Sequence, residues 1–287
     1  MRKFKEFIIE KLILFCGLAS IFFVILIFLF LLKEGLAVFK IISPLKFLFG
    51  RNWYPISEPP QLGILPLIIG SLVVTLGAAI ISVPIGVACA VYIAEIVPLK
   101  TKEILKSGIE LLAAIPSVVL GFIGMVTLVP WVKSTFNLPT GLTALSGSIM
   151  LAFMAMPTIV SIAEDALYSI PKSYKEGALA LGATHWQAIY RVMLPAASSG
   201  ILAAVMLGIG RVIGETMAVM MITGNAANLP HSLLQPVRTL TATIAAEMGE
   251  AVVGSEHYFA LFAIGIVLFI ISFIINVTAD LFLHKRQ

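Results

Sequence analysis

The stretch LGIGRVIGETMAVMM, residues 207–221, places a cation and an anion inside an otherwise apolar run. Arg211 and Glu215 stand four residues apart, one turn along one face of a helix. A charge at the centre of a bilayer costs about 2.5–3.5 kcal/mol even on the lenient insertion scale, so such residues face a bundle interior and find partners. Two readings are open. The two side chains neutralise each other as a structural ion pair, or they border a path for a polar solute. A path built from them would handle anions. A guanidinium donates paired hydrogen bonds in a flat fork that fits an oxyanion, and a carboxylate accepts from an oxyanion that still carries a proton. Phosphate near neutral pH carries one and sulfate does not, so the pair is equipped to separate them.

The elements that must hold these residues are membrane spans. The chain has 287 residues, 60% of them hydrophobic and 12% charged, with a mean hydropathy of +1.06. A soluble domain is nearer a quarter charged. Leu12 to Leu32 carries no charge for 21 residues, too long for the apolar core of a signal peptide, and reads as a retained first span. Leu62 to Ala94 is uncharged for 33 residues, too long for one straight helix; Gly63 and Pro66 suggest a turn at its start and Pro84 a kink. Leu111 to Val132 reads as a third span. The turn chemistry of NLPTG at 137–141 starts the fourth near Leu142. The fifth runs roughly 199–223 and the sixth roughly 258–279. The expectation is an all-α polytopic membrane protein of six transmembrane helices. With the N-terminus inside, the inner loops and tails, including Lys285 and Arg286, hold twelve basic residues against six outside. That bias sets an N-in, C-in topology.

Between the fourth and fifth spans lies KSYKEGALALGATHWQAIYRVMLP, residues 172–195, on the cytoplasmic side of that topology. Ser173 with Glu176 fits a capping box, and Gly182 suits a left-handed helix end. Thr184 with Gln187 fits a second capping box, and Pro195 limits the second helix. Tyr174, Ala178 and Leu181 share one face of the first helix; Trp186, Ile189 or Tyr190, and Met193 share one face of the second. Helices this short are marginal alone in water and need packing. One face can lie under the membrane domain, leaving the other free to dock. As cap chemistry alone, Glu176 and Gly182 need no further role.

The spacing of Glu176, Gly177 and Ala178, then Gly182, then Val192, Leu194 and Pro195 resembles the EAA loop of ABC importer permeases, with Gly177 in place of an alanine and Val192 in place of an isoleucine. GRVIGETMAV at 210–219, IPSVVLGF at 115–122 and SLLQPVRTLTATIAAEMGEA at 232–251 resemble the PstC-type permease subunits of bacterial phosphate importers. The resemblance spans roughly Gly63 to the C-terminus. It implies a type I ABC importer permease fold, with residues 1–61 an appended helix and external linker and residues 62–287 the transport domain. In that domain the coupling loop would cover about 165–197 and an external loop about 224–257. It implies that Glu176, Gly177, Ala178, Gly182, Leu194 and Pro195 engage a partner ATPase, that Arg211 and Glu215 line the substrate path, and that the cargo is inorganic phosphate. The implied partners are a related permease subunit in a heterodimer, two copies of the ATPase, an external phosphate-binding protein and membrane lipid. The chain has no G-x-x-x-x-G-K-[ST] loop, so ATP and Mg would belong to the partner, with no cofactor or metal bound here and no enzymatic role. The expected location is a prokaryotic cytoplasmic membrane.

Other features carry less. His185, His231, His257 and His284 show no metal-ligand spacing. Cys16 and Cys89 sit in apolar runs and read as small buried hydrophobes rather than a disulfide. Ala163–Glu164–Asp165 closes the fourth span and reads as solvated. Trp53 and Tyr54 in the linker read as interfacial aromatics. Leu240, Ile244 and Met248 recur at helical spacing and fit either an amphipathic helix on the membrane or a connector packed on its neighbours. Basic residues gather at span ends and give no sign of nucleic-acid binding. A permease for molybdate or sulfate is the nearest alternative. A secondary transporter using Glu215 as proton carrier would leave the cytoplasmic loop without a task.

Overall fold

A computed structural model of the chain describes residues 2–284, so Lys285 and Arg286 of the charge count lie outside the described residues. Among the described residues, five helices are long and apolar enough to cross a membrane, and there are six when the bent pair, 185–196 with 198–214, is counted as one span. The first helix, α1 (Arg2–Leu36), exposes Leu12, Phe15, Phe22, Phe23 and Leu29, as expected where lipid is the solvent. It packs along α14 (Glu256–His284) through Phe28 on Phe269 and Phe30 on Phe262, with ring centroids 4.7 and 5.5 Å apart. The linker that follows is ordered. It forms a 3₁₀ turn (Ala37–Lys40), the Ser43-capped α2 (Pro44–Phe49) and a two-stranded ribbon, β1 (Trp53–Tyr54) with β2 (Gln61–Leu62), in which Trp53 faces Leu62.

The second span is a single helix, α3 (Leu65–Glu95), which Pro84 does not interrupt. At 31 residues it is about 46 Å long, well over the ~30 Å hydrocarbon thickness, so it tilts or projects. The third span starts later than the hydropathy places it. Residues 99–114 form α4, an amphipathic helix outside the spans. The chain breaks at Ile115–Pro116, and the span runs through α5 (Ser117–Ile123), a π turn (Gly124–Leu128) and α6 (Val129–Thr135). Leu111 and Leu112 belong to the exposed apolar edge of α4. Uncharged composition alone could not separate them from the span; Pro116, which disfavours helix at the residue before it, does.

The centre of the bundle is α7 (Ala144–Tyr168), capped by Thr143 and buried over most of its length. Val74 and Ala78 of α3, Leu151, Ala155 and Ile159 of α7, and Val212 and Val219 from the fifth segment form one core cluster. A second cluster, at the outer end, seats Phe47, Trp53, Leu62 and Ile64 against Leu240, Leu261 and Ile264. Trp53 is therefore a buried core residue, 2% exposed, and only Tyr54 of the two aromatics faces outward. The Trp53 indole N–H donates to Glu247 at 3.1 Å, which lets a polar-tipped ring sit in the core. The helix α13 (Leu240–Glu247) is the packed connector: Leu240, Thr241, Ala242 and Thr243 are all buried. The cysteines are free and exposed on outward faces of α1 and α3, not buried.

Candidate functional site

The fifth segment is not one helix. α11 (Ser198–Gly214) stops at its glycine, Glu215 is extended with φ −70° and ψ 132°, and α12 (Met217–Ile222) restarts beyond it. The i,i+4 relation between Arg211 and Glu215 therefore does not exist in space, since it requires a continuous helix. The Arg211 guanidinium lies exposed on the face of α11 and donates from Nη1 to Thr158 Oγ1 of α7 at 3.3 Å. Glu215 Oε1 accepts from the Ala218 N–H at 3.3 Å, and so satisfies a donor in the first turn of α12. No ion pair joins the two residues among the described residues. The structural-pair reading fails, and the guanidinium keeps most of its donors free inside an apolar layer. Methionines 217, 220 and 221 sit in this restart, and Gly121 of α5 lets that helix approach Ala218 at the closest contact.

At the end that the charge bias places in the cytoplasm, α8 (Lys172–Ala180) and α9 (His185–Ala188) form the predicted helix pair. α8 starts at Pro171, not at a Ser173 cap; Ser173 lies within the first turn and makes no side-chain cap bond. Its C-terminus follows the glycine rule. Gly182 has φ +87°, its N–H reaches Leu179 O at 3.0 Å, and the Ala183 N–H reaches Ala178 O at 3.1 Å, a Schellman ending. The Thr184–Gln187 capping box is present in both directions. Pro195 does not end the second helix. A π turn (Ile189–Met193) carries it into α10 (Leu194–Ala196), and the break falls at Ala197 with a 70° bend into α11. The wider turn accommodates a residue that has no N–H to give and crowds the carbonyl four residues back.

Ile189 and Met193 pack under the bundle, whereas Trp186 of the same predicted face is exposed. No residue of α8 is buried, and Tyr174, Leu179 and Leu181 present apolar surface, with Leu181 91% exposed. Glu176 and Gly177 are exposed with it. An ion pair also ties α8 to the bundle: Lys175 meets Glu95 at the end of α3, across a cleft of about 590 Å³ that Glu176 also lines. A second clamp lies beside it. Glu164 is not solvated but 3% exposed, held by Lys102 and Lys106 of α4, with Lys106 Nζ 2.9 Å from Glu164 and 2.7 Å from Asp165. The Asp165 and Glu164 carboxylates hold the Lys106 ammonium well above the usual lysine range. The pairing overturns the expectation that Ala163–Glu164–Asp165 is solvated. The signal was present in Lys102 and Lys106 at i,i+4, but its partner lies about sixty positions away.

The architecture is matched by known proteins. Residues 82–286 fit the family model described as "Binding-protein-dependent transport system inner membrane component". The chain belongs to that family, among the PstC-type permeases. A probable ABC transporter permease of Bacillus subtilis strain 168, YqgH, is 43% identical, with 90% of this chain and 84% of that one covered. The phosphate transport system permease PstC of Mesorhizobium japonicum is 35% identical over 83% of this chain and 78% of that one. In fold, the chain resembles a bacterial alginate ABC transporter solved with its alginate pentasaccharide-bound periplasmic protein, at TM-score 0.65 and 17% identity, covering 94% and 93% of the chains. It also resembles the inward-facing MetNI methionine ABC transporter, at TM-score 0.63 and 19% identity, covering 81% and 100%. The fold is that of type I ABC importer permeases, and the PstC-type chain is a multi-pass inner-membrane protein.

Proposed function

We infer that this chain is the membrane-spanning subunit of an ATP-driven importer that moves inorganic phosphate into a prokaryotic cell. The observation that carries the cargo assignment is Arg211, an exposed guanidinium with one weak protein partner inside the span, in a chain whose 35%-identical relatives are phosphate permeases. The free donors suit a flat oxyanion, and the separately held Glu215 carboxylate is available to a proton-bearing one. Residues 62–287 serve as the transport domain and 1–61 as an appended helix and linker. The exposed apolar face of α8, with Glu176, Gly177, Ala178 and Gly182, and the α9–α10 segment with Leu194 and Pro195, would seat on an ATPase. ATP and Mg would be held by that partner, present in two copies. A related permease subunit would complete the path opposite Arg211, and a phosphate-binding protein would deliver cargo from outside.

The test is reconstitution in proteoliposomes of the chain with its related permease and ATPase, with the loaded binding protein outside. Labelled phosphate should accumulate only with internal ATP, and Arg211→Lys or Glu215→Gln should cut uptake while the complex still assembles. Uptake that ignores ATP but collapses with an uncoupler would establish a proton-coupled carrier instead. Unchanged uptake in both variants would remove the pair from the path.

A further inference from the structure

The break at Glu215 needs an explanation, because an extended residue inside an apolar span orphans its backbone carbonyl. The structure supplies the donor from elsewhere: Thr241 Oγ1, 26 positions later on α13, donates to Glu215 O at 2.8 Å. The hydroxyl geometry is consistent. Thr241 has one proton, directed at Glu215, so at 3.1 Å it accepts from Thr239, whose Oγ1 in turn accepts the Ala242 N–H at 3.3 Å. Thr241 is 7% exposed, so water does not compete for this bond. α13 is itself anchored on several sides. The Leu240 N–H donates to Ser71 Oγ of α3 at 2.9 Å. At the other end of α13, Glu247 accepts from Trp53 and Arg238 and meets His257 Nε2 at 2.8 Å.

We propose that Thr241 is a positioning residue for transport: it fixes the extended backbone at Glu215 and thereby aims the carboxylate toward the path. A fifth segment without this donor relaxes toward continuous helix, in which the Glu215 carbonyl finds a partner within its own turn. The carboxylate then falls back to i,i+4 from Arg211, the two neutralise each other, and the guanidinium is lost to the anion. This rests on the reading of Arg211 and Glu215 as path residues.

The experiment measures phosphate imported and ATP hydrolysed in the same proteoliposomes, with loaded binding protein, for Thr241→Val, Thr241→Ala, Thr241→Ser and Glu215→Gln. The expected result is that Thr241→Val and Thr241→Ala raise the ATP consumed per phosphate about tenfold, the scale of one lost buried hydrogen bond, while Thr241→Ser matches wild type. If Thr241→Val does not assemble, Thr241→Ala carries the test. A ratio unchanged in the assembled variants overturns the proposal. So does a parallel fall of uptake and ATPase in Thr241→Val and Thr241→Ala, which is what a merely structural threonine would give. Glu215→Gln reports separately: unchanged uptake there refutes Glu215 as a path residue, whatever Thr241 does.

Discussion

Arg211 and Glu215 are four residues apart in sequence and do not pair, because the helix that carries the arginine ends at Gly214 and Glu215 is extended. Each is held by a different element, Arg211 by Thr158 of α7 and Glu215 by the first turn of α12. The consequence is a guanidinium available to an anion and a carboxylate that does not cancel it. Arg211→Lys keeps the charge and loses the fork. Uptake should fall about tenfold or more, while the melting temperature stays within about 2 °C, because the side chain is exposed and makes one long hydrogen bond. A large drop in melting temperature would show that the arginine is structural after all.

The clamp around Glu164 predicts a stability effect instead. Glu164→Gln leaves Lys102 and Lys106 facing a neutral amide at a nearly buried site, a loss of about 3 kcal/mol. Asp165→Asn should cost under ~1 kcal/mol, since Asp165 is largely exposed and solvent screens it. Thermal unfolding of the purified chain in detergent measures both. The carboxylates raise Lys106 above its ordinary value, and a raised lysine contributes fully below its unfolded pKa near 10.4 and loses that contribution only as pH climbs through the folded one. The stability gap between wild type and Lys106→Met should therefore stay flat from about pH 6 to 9. A gap that closes within that range would contradict the clamp.

Two glycines of α8 and its cap should respond with opposite signs. Gly182 holds φ +87° with open space around it, so Gly182→Ala meets no atom and costs only the left-handed backbone, roughly 1–2 kcal/mol. Gly177 is helical and also faces open space; Gly177→Ala should gain about 0.5–1 kcal/mol of local helix stability. Hydrogen exchange of the α8 amides reads both. ATP-coupled uptake should fall for the first and hold for the second.

Packing at the core predicts a non-additive pair. A Cβ on Gly208 of α11 would lie 2.5 Å from Ile159 Cγ1, and one on Gly86 of α3 would lie 2.8 Å from Ile159 Cγ2, so the isoleucine is wedged between two helices at glycines. Gly208→Ala should cost roughly 1–3 kcal/mol in an otherwise native chain. In an Ile159→Ala background, the same change should cost at least about 1 kcal/mol less, because the colliding atoms are gone. Strict additivity in unfolding experiments would mean that the helices shift apart instead.

Much of the molecule was legible in the residues. Span number follows from apolar run lengths, because a bilayer demands about 20 such residues whatever else they do. Gly182 and the Thr184–Gln187 box were readable because caps are chemistry between neighbours. The resemblance of 176–195 and 210–219 to importer permeases rested likewise on contiguous spacing. What could not be read was everything that depends on a partner far along the chain. Hydropathy merged α4 with the third span, since Leu111 and Leu112 are equally apolar on a helix edge or in lipid. The break at Glu215, the burial of Trp53 and Glu164, and the pairing of Lys175 with Glu95 each need a second residue 26 to 194 positions away. The sequence by itself determined the class, the spans and the local caps, through forces that act within a turn or against the bilayer. Only the tertiary structure decided that Arg211 stands apart from Glu215, because the hydroxyl that stabilises the break belongs to a helix the chain has not yet reached.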